Sequence, residues 1–138
     1  MFKGLKLSAT GMLTERVRLE AISSNIANAN NTEVVNGKVY KRKQVLLGED
    51  NQNFEGVLNG VRVTSIQDDY VTPDRLVYDP EHKDAIAEGE YKGYVRYPNV
   101  DISKEMIDLI NSQRAFELNS QTFNASKSLI EHSINIGK

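Results

Sequence analysis

Cysteine and tryptophan are absent from the 138 residues, and proline occurs only three times. Without cysteine there is no disulfide framework, no thiol nucleophile and no Cys-ligated zinc or iron–sulfur site. The redox compartment stays open. Charge of one sign is lacking too: 17 basic against 19 acidic residues give a net charge of −2. No general field therefore draws the chain to nucleic acid or an anionic membrane. Long hydrophobic runs are missing, with nothing near the roughly 20 apolar residues of a membrane span. The opening MFKGLKLSATGML has no unbroken apolar run of the kind a cleavable signal peptide needs, so none is expected. Hydrophobic residues make up 39%, below the roughly 45–50% of ordinary globular chains. The length suits one small domain or a helical unit with a modest insertion, and the core is thin.

What is present is a partition of the helix breakers. Pro73, Pro80 and Pro98 all lie in the middle of the chain, while 12–36 and 99–136 contain neither Gly nor Pro. The first of these ends predicts a helix from about Phe2 to about Asn28. Leu5, Met12, Leu19 and Ile26 recur every seven residues, with Ala9, Ile22 and Ala29 in the neighbouring row. So narrow a stripe suits a partner helix better than a broad core. Gly11 inside it costs about 1 kcal/mol against alanine. The Asn-rich run 25–31 then ends the pattern, since asparagine competes for backbone hydrogen bonds and favours helix ends and turns.

The last end predicts a longer helix, capped by Asn99 or Asp101 after Pro98 and stopped at Gly137. Ile102, Leu109, Phe116, Phe123 and Ile130 recur every seven residues, broadened by Met106, Ile110 and Ile134. Gln113, Ser120 and Lys127 make the second seam position polar, which fits packing among several helices better than a two-stranded zipper. Between the ends, Lys38–Leu47, Val57–Ile66, Arg75–Tyr78 and Tyr91–Tyr97 read as short strands from their β-branched and aromatic content. Asn59-Gly60 is a hairpin-type dipeptide. Gly48–Gly56 and Asp79–Glu90 read as polar, acidic, mobile loops. The expected fold class is α+β, with long terminal helices packed as a coiled-coil-like pair. Residues 1–31 and 99–138 form a discontinuous helical core, and 32–98 a β-rich middle that is either a compact domain or an extended arm.

Chemistry-bearing residues are few. His82 sits in the acidic loop and His132 on the last helix, and neither comes with a nucleophile or metal-ligand pattern. No phosphate-binding glycine loop or nucleophile elbow occurs. An EF-hand loop begun at Asp79 places Lys83 at its fifth position and Asp84 where glycine is required, so calcium is not expected. Lys41-Arg42-Lys43 would point its charges to both faces of a strand, which disfavours a nucleic-acid patch and suits salt bridges or exposure. No enzymatic activity, cofactor or metal is expected. The stripes fit packing within one chain or between chains about equally well. The middle is too small and polar to cover both helices, which moves the balance toward assembly. A soluble coiled-coil adapter or export chaperone is the rival from another class.

The stretch Ser8-Ala9-Thr10-Gly11-Met12, followed by Arg18-Leu19-Glu20-Ala21-Ile22-Ser23-Ser24-Asn25-Ile26-Ala27-Asn28-Ala29-Asn30, resembles the N-terminal motif of bacterial flagellar axial proteins, the rod, hook and hook-associated group. Tyr40-Lys41-Arg42-Lys43, Leu76-Val77-Tyr78-Asp79-Pro80 and Tyr97-Pro98-Asn99-Val100-Asp101 are similar to the proximal rod members. So are 105–110, 114–117 and 124–128 of the last helix. Ser24, Asn25, Ala27, Asn28 and Asn30 carry the family motif. The resemblance implies a structural protein that leaves the cell unfolded through the flagellar type III export apparatus. It implies polymerisation into a helical tube with other rod subunits and copies of itself, without nucleic acid or membrane insertion. The rod crosses the periplasm, with terminal helices packed around a central channel and the middle segment further out. On this reading Leu5, Met12, Leu19, Ile22, Ile26, Ile102, Met106, Leu109, Phe116, Phe123 and Ile130 are the helix-packing residues. The acidic loop departs from the family by its length, since 88–92 precede the usual Gly93-Tyr94-Val95 step.

Overall fold

A computed structural model describes residues 2–35, 37–49 and 60–137. Two long helices, α1 (Phe2–Asn28) and α2 (Ile102–Ile136), bracket four short strands: β1 (Lys43–Glu49), β2 (Val61–Asp68), β3 (Arg75–Tyr78) and β4 (Tyr94–Tyr97). The strands form two separate ribbons, β1 beside β2 and β3 beside β4. The fold is α+β. The loop expected over Gly48–Gly56 loses its first two residues to β1, and its remainder lies outside the described residues, as do Asn59 and the first three residues of the strand expected at Val57.

The chain divides into two compact units, and each takes part of both helices. The first comprises 1–20, 45–66 and 109–138. Here α1 and α2 meet along a row of small and polar residues. A Cβ built on Gly4 would lie 3.4 Å from Ser126 Oγ, and one on Gly11 would lie 2.8 Å from Asn119 Nδ2. Seven residues forward on α1 thus match seven back on α2, an antiparallel register. Gly11 is therefore no simple defect: its missing side chain makes room for the Asn119 amide against the α1 backbone. Among the described residues of this unit, Ser8, Thr14, Glu15 and Ser112 are buried. Thr14 returns its hydroxyl proton to Gly11 O at 2.8 Å, and Arg18 holds the Glu15 carboxylate at 3.0 Å.

The second unit comprises 21–44 and 67–108. Its apolar core is Ala21, Ile22, Ala29, Val39 and Val95, with Pro98 also fully buried. The cap of α2 is Asp101, whose Oδ1 accepts from the amides of Ser103 (2.9 Å) and Lys104 (3.3 Å). Asn99, the other sequence candidate, is committed elsewhere. Its Oδ1 accepts from Arg42 N, and its Nδ2 donates to the carbonyls of Asp69 and Thr72. Asp69 in turn accepts from the amides of Val71 and Thr72, the Thr72 hydroxyl and Gln44 Nε2. These bonds, the Thr72 amide foremost and then its hydroxyl, hold the Asp69 carboxyl below its ordinary value.

Two strand readings and one loop reading shift. The strand expected from Lys38 begins at Lys43, because Val39 turns into the core and Arg42 turns toward a buried carboxylate described below. That expected from Tyr91 begins at Tyr94, because Gly93 takes φ +81° and the Tyr78 ring lies 3.0 Å from where its Cβ would be. The acidic segment 79–92 is no floating loop. Asp79 N bonds Gly93 O, Ile86 N bonds Tyr94 O, and Gly93 N bonds Ile86 O. Thr32 Oγ1 donates to Asp84 Oδ2 at 2.7 Å. Composition hid this because the anchoring groups are mostly backbone.

Two outcomes follow. Gly11→Leu should lower stability by about 1–3 kcal/mol through overpacking, while Gly11→Ala, which only displaces the end of Asn119, changes it far less; urea unfolding measures both. Because the native Asp69 carboxyl binds its proton less readily than in the unfolded chain, its stabilisation is complete above about pH 4 and is lost as pH falls through the lower native value. Asp69→Asn should flatten that acid limb of the stability–pH curve.

Candidate functional site

The side chain around which the second unit is arranged is a carboxylate. Glu105, one turn into α2, is fully buried at 0% exposure. Burying a charge costs several kcal/mol unless partners replace water. Arg42 Nε donates to Oε1 at 2.5 Å, and Asn25 Nδ2 donates to Oε2 at 3.0 Å. A second nitrogen of Arg42 reaches Asp108 at 3.5 Å. The guanidinium thus spans two carboxylates one turn apart on α2.

Asn25 is itself almost fully buried and spends its whole amide. Nδ2 donates to Lys43 O as well as to Glu105, while Oδ1 accepts from Lys43 N at 2.8 Å and from the Tyr40 hydroxyl at 2.9 Å. An amide offers two donors and two acceptor sites, and all four are used. Asn25 stands in for a neighbouring strand at the point where β1 begins. Burial holds the Tyr40 hydroxyl above its ordinary value; the Ser24 hydroxyl 3.1 Å away opposes this, and the Asp68 and Glu105 charges reinforce it. Asn28 Nδ2 returns to Ser24 O at 2.8 Å, and Asn31 Oδ1 accepts from Glu33 N at 3.1 Å. Ala27 and Asn30 are exposed.

The residues expected to pack the helices are distributed unevenly. Ile22 is buried, and Leu5, Met12, Leu19, Ile26, Leu109, Phe123 and Ile130 are half-buried. Ile102, Met106 and Phe116 are exposed, Met106 the most at 53%. The deepest positions of α2 lie in the adjacent row, Glu105 and Ser112, which continues at spacing seven through Asn119 and Ser126. Sequence reasoning passed over this row because it is polar. Its signal was present: Gly4 and Gly11 on α1 share the spacing of seven. Lys41-Arg42-Lys43 is divided among separate roles, with Lys41 on Asp74 at 2.7 Å and Arg42 on Glu105. His82 accepts the Asp84 amide proton at 3.1 Å, and His132 is exposed. Among the described residues no group of three or more His, Asp or Glu is placed to hold a metal, and no helix is long and apolar enough to cross a membrane.

Comparisons with known proteins fall on the same segments. Residues 5–33, which contain Asn25, match the family model of flagella basal body rod proteins. Residues 91–136, which contain Glu105, match that of the flagellar basal body rod FlgEFG protein C-terminal region. The flagellar basal-body rod protein FlgC of Bacillus subtilis is 40% identical, over 99% of this chain and 98% of its own. This chain belongs to the FlgC family. The FlgC of Borreliella burgdorferi is 36% identical over 99% of this chain and 97% of its own. That of Aquifex aeolicus is 33% identical over 100% and 98%. In this FlgC-family chain the Asn-rich motif supplies the amide that binds Glu105 and the first strand together.

Arg42→Met strands the buried carboxylate and should cost about 3–5 kcal/mol. Adding Glu105→Leu should recover much of that loss, because the stranded charge is gone and only one Asn25 N–H loses its acceptor. Urea midpoints of the single and double variants decide this, and equal midpoints would refute the coupling.

Proposed function

We propose that the chain is a structural subunit of the flagellar basal-body rod, set at its proximal end, and that it polymerises through its terminal helices into the shaft that transmits torque. The observation that carries this reading is the full-length relationship to FlgC proteins. The chain's surface supports it. Ile102, Ile110, Phe116, Leu118, Leu129 and Ile134 of α2 are exposed in the isolated chain, and full burial of each such side chain stabilises by about 1.5–3 kcal/mol. Apolar residues on several sides of one helix ask for neighbours on several sides. Head-to-tail contacts of that kind build open helical polymers rather than closed dimers.

On this reading 1–31 and 99–138 act as the helical core of the tube and 32–98 as the segment further out. The partners are other rod subunits and copies of this chain, reached through the flagellar type III export apparatus, and the place of work is the periplasm. Its role is mechanical, requiring neither catalysis nor a cofactor.

Phe116 is the residue to test, since a side chain already 37% exposed can be made polar without dismantling the monomer. Phe116→Asp should leave the helical circular dichroism and melting of the purified chain nearly unchanged and abolish swimming by blocking rod assembly. Leu109→Asp, half-buried, should abolish swimming as well. Normal rods and swimming in the Phe116 variant would overturn the assignment. A concentration-independent closed dimer with no place in basal bodies would favour an adapter or chaperone.

A further inference from the structure

Among the described residues, one face of α2 and one face of the β3–β4 ribbon carry exposed apolar or aromatic side chains, and their chemistries complement each other. In β3–β4 the register sets Leu76 opposite Arg96 and Tyr78 opposite Tyr94. Alternation puts these four on one face, while Val77 and Val95 occupy the other. Val95 is fully buried and Val77 40% exposed, whereas on the other face Tyr78 is 64% and Leu76 37% exposed and Tyr94 half-buried. Tyr78 meets Tyr94 edge-on at 5.2 Å, and Tyr91 meets Tyr94 at 6.4 Å. Beside them opens a cavity of about 440 Å³ walled by Tyr78, Pro80, His82 and Lys92. The flanking 79–92 carries five carboxylates against Lys83 and Lys92, with Glu81, Glu88 and Glu90 exposed. Clustered tyrosines form a hot-spot surface, and tyrosine rings rimmed by carboxylates favour a cation laid over them.

In the other unit, Arg114, Leu118, Gln121, Ala125, Leu129 and His132 fall on one side of α2 by their spacing of three and four. That side is roughly opposite the row of Leu109, Phe116 and Phe123 by helix periodicity. Leu118 is 63% exposed and Leu129 61%. Arg114 makes no side-chain hydrogen bond or ion pair among the described residues, and exposed Glu117, three residues on, borders this side.

We propose that the Arg114–Leu118 face of α2 in one copy docks on the Tyr78–Tyr91–Tyr94 face of a second copy of this chain. The contact rests on the rod-subunit reading above and specifies one of its interfaces. The Arg114 guanidinium lies over the tyrosine rings between Glu88 and Glu90, and Leu118 covers Leu76. Because the two faces differ, each copy offers one and receives the other, so the contact is heterologous and can link more than two copies.

The lack of native cysteine makes the test direct. A chain carrying Ala87→Cys and Gln121→Cys, both exposed positions beside the two faces, is expressed in motile cells in place of the unaltered chain. Basal bodies are then isolated and treated with a short bifunctional maleimide. A ladder of multimers of this chain is expected from the double variant and from neither single variant. Adding Arg114→Glu should cut the ladder yield about tenfold or more, the equivalent of 1.4 kcal/mol. Further adding Glu88→Arg and Glu90→Arg should restore it, which mere misfolding would not do. A dimer from either single variant, cross-links only to a protein of another mass, or no ladder with the chain present in basal bodies each overturns the contact and leaves the rod reading standing. Absence of the unaltered chain from basal bodies overturns both.

Discussion

A carboxylate closed off from the solvent sets the terms for the second unit. Glu105 is acceptable in the interior only while Arg42 and Asn25 hold it, and these three residues come from segments far apart in the chain. Each partner carries the requirement further. Asn25, fixed by Glu105, fixes the backbone of Lys43 and the hydroxyl of Tyr40. Arg42, turned inward, leaves its amide to Asn99, which ties the carbonyls of Asp69 and Thr72. A buried ion pair is a poor source of net stability. In a chain with so few apolar residues it serves instead to select one arrangement, because any other leaves a charge or an amide unsatisfied.

The first unit uses the opposite device. Its helices meet through glycine, serine and asparagine, which permits close approach and spends few large apolar side chains on the contact. The phenylalanines and leucines so released face outward or are only half covered. The contact between the helices and the large apolar side chains of α2 thereby fall on different residues of the same helix.

How much was readable beforehand depends on which atoms do the holding. The helices were legible to within a residue or two, since Gly and Pro leave long stretches untouched and Asp101 stands where a cap belongs. The family was legible from the motif around Asn25. The anchoring of 79–92 was not, because it rests on amides and carbonyls that every sequence possesses. Nor was the Glu105–Arg42 pair. A glutamate in a first helical turn normally signals a dipole interaction at the surface, and only the fold reveals that this one points inward. The heptad count found an apolar row correctly as a pattern and missed that its polar neighbour, through Ser112 and Asn119, lies deeper.

All six tyrosines, Tyr40, Tyr70, Tyr78, Tyr91, Tyr94 and Tyr97, fall in the second unit, whereas Phe116 and Phe123 belong to the first. With no tryptophan to dominate the emission, the native chain is optically labelled in one half only. Its ultraviolet fluorescence therefore reports the environment of the Glu105 network and the β3–β4 ribbon, and is blind to the glycine–asparagine seam.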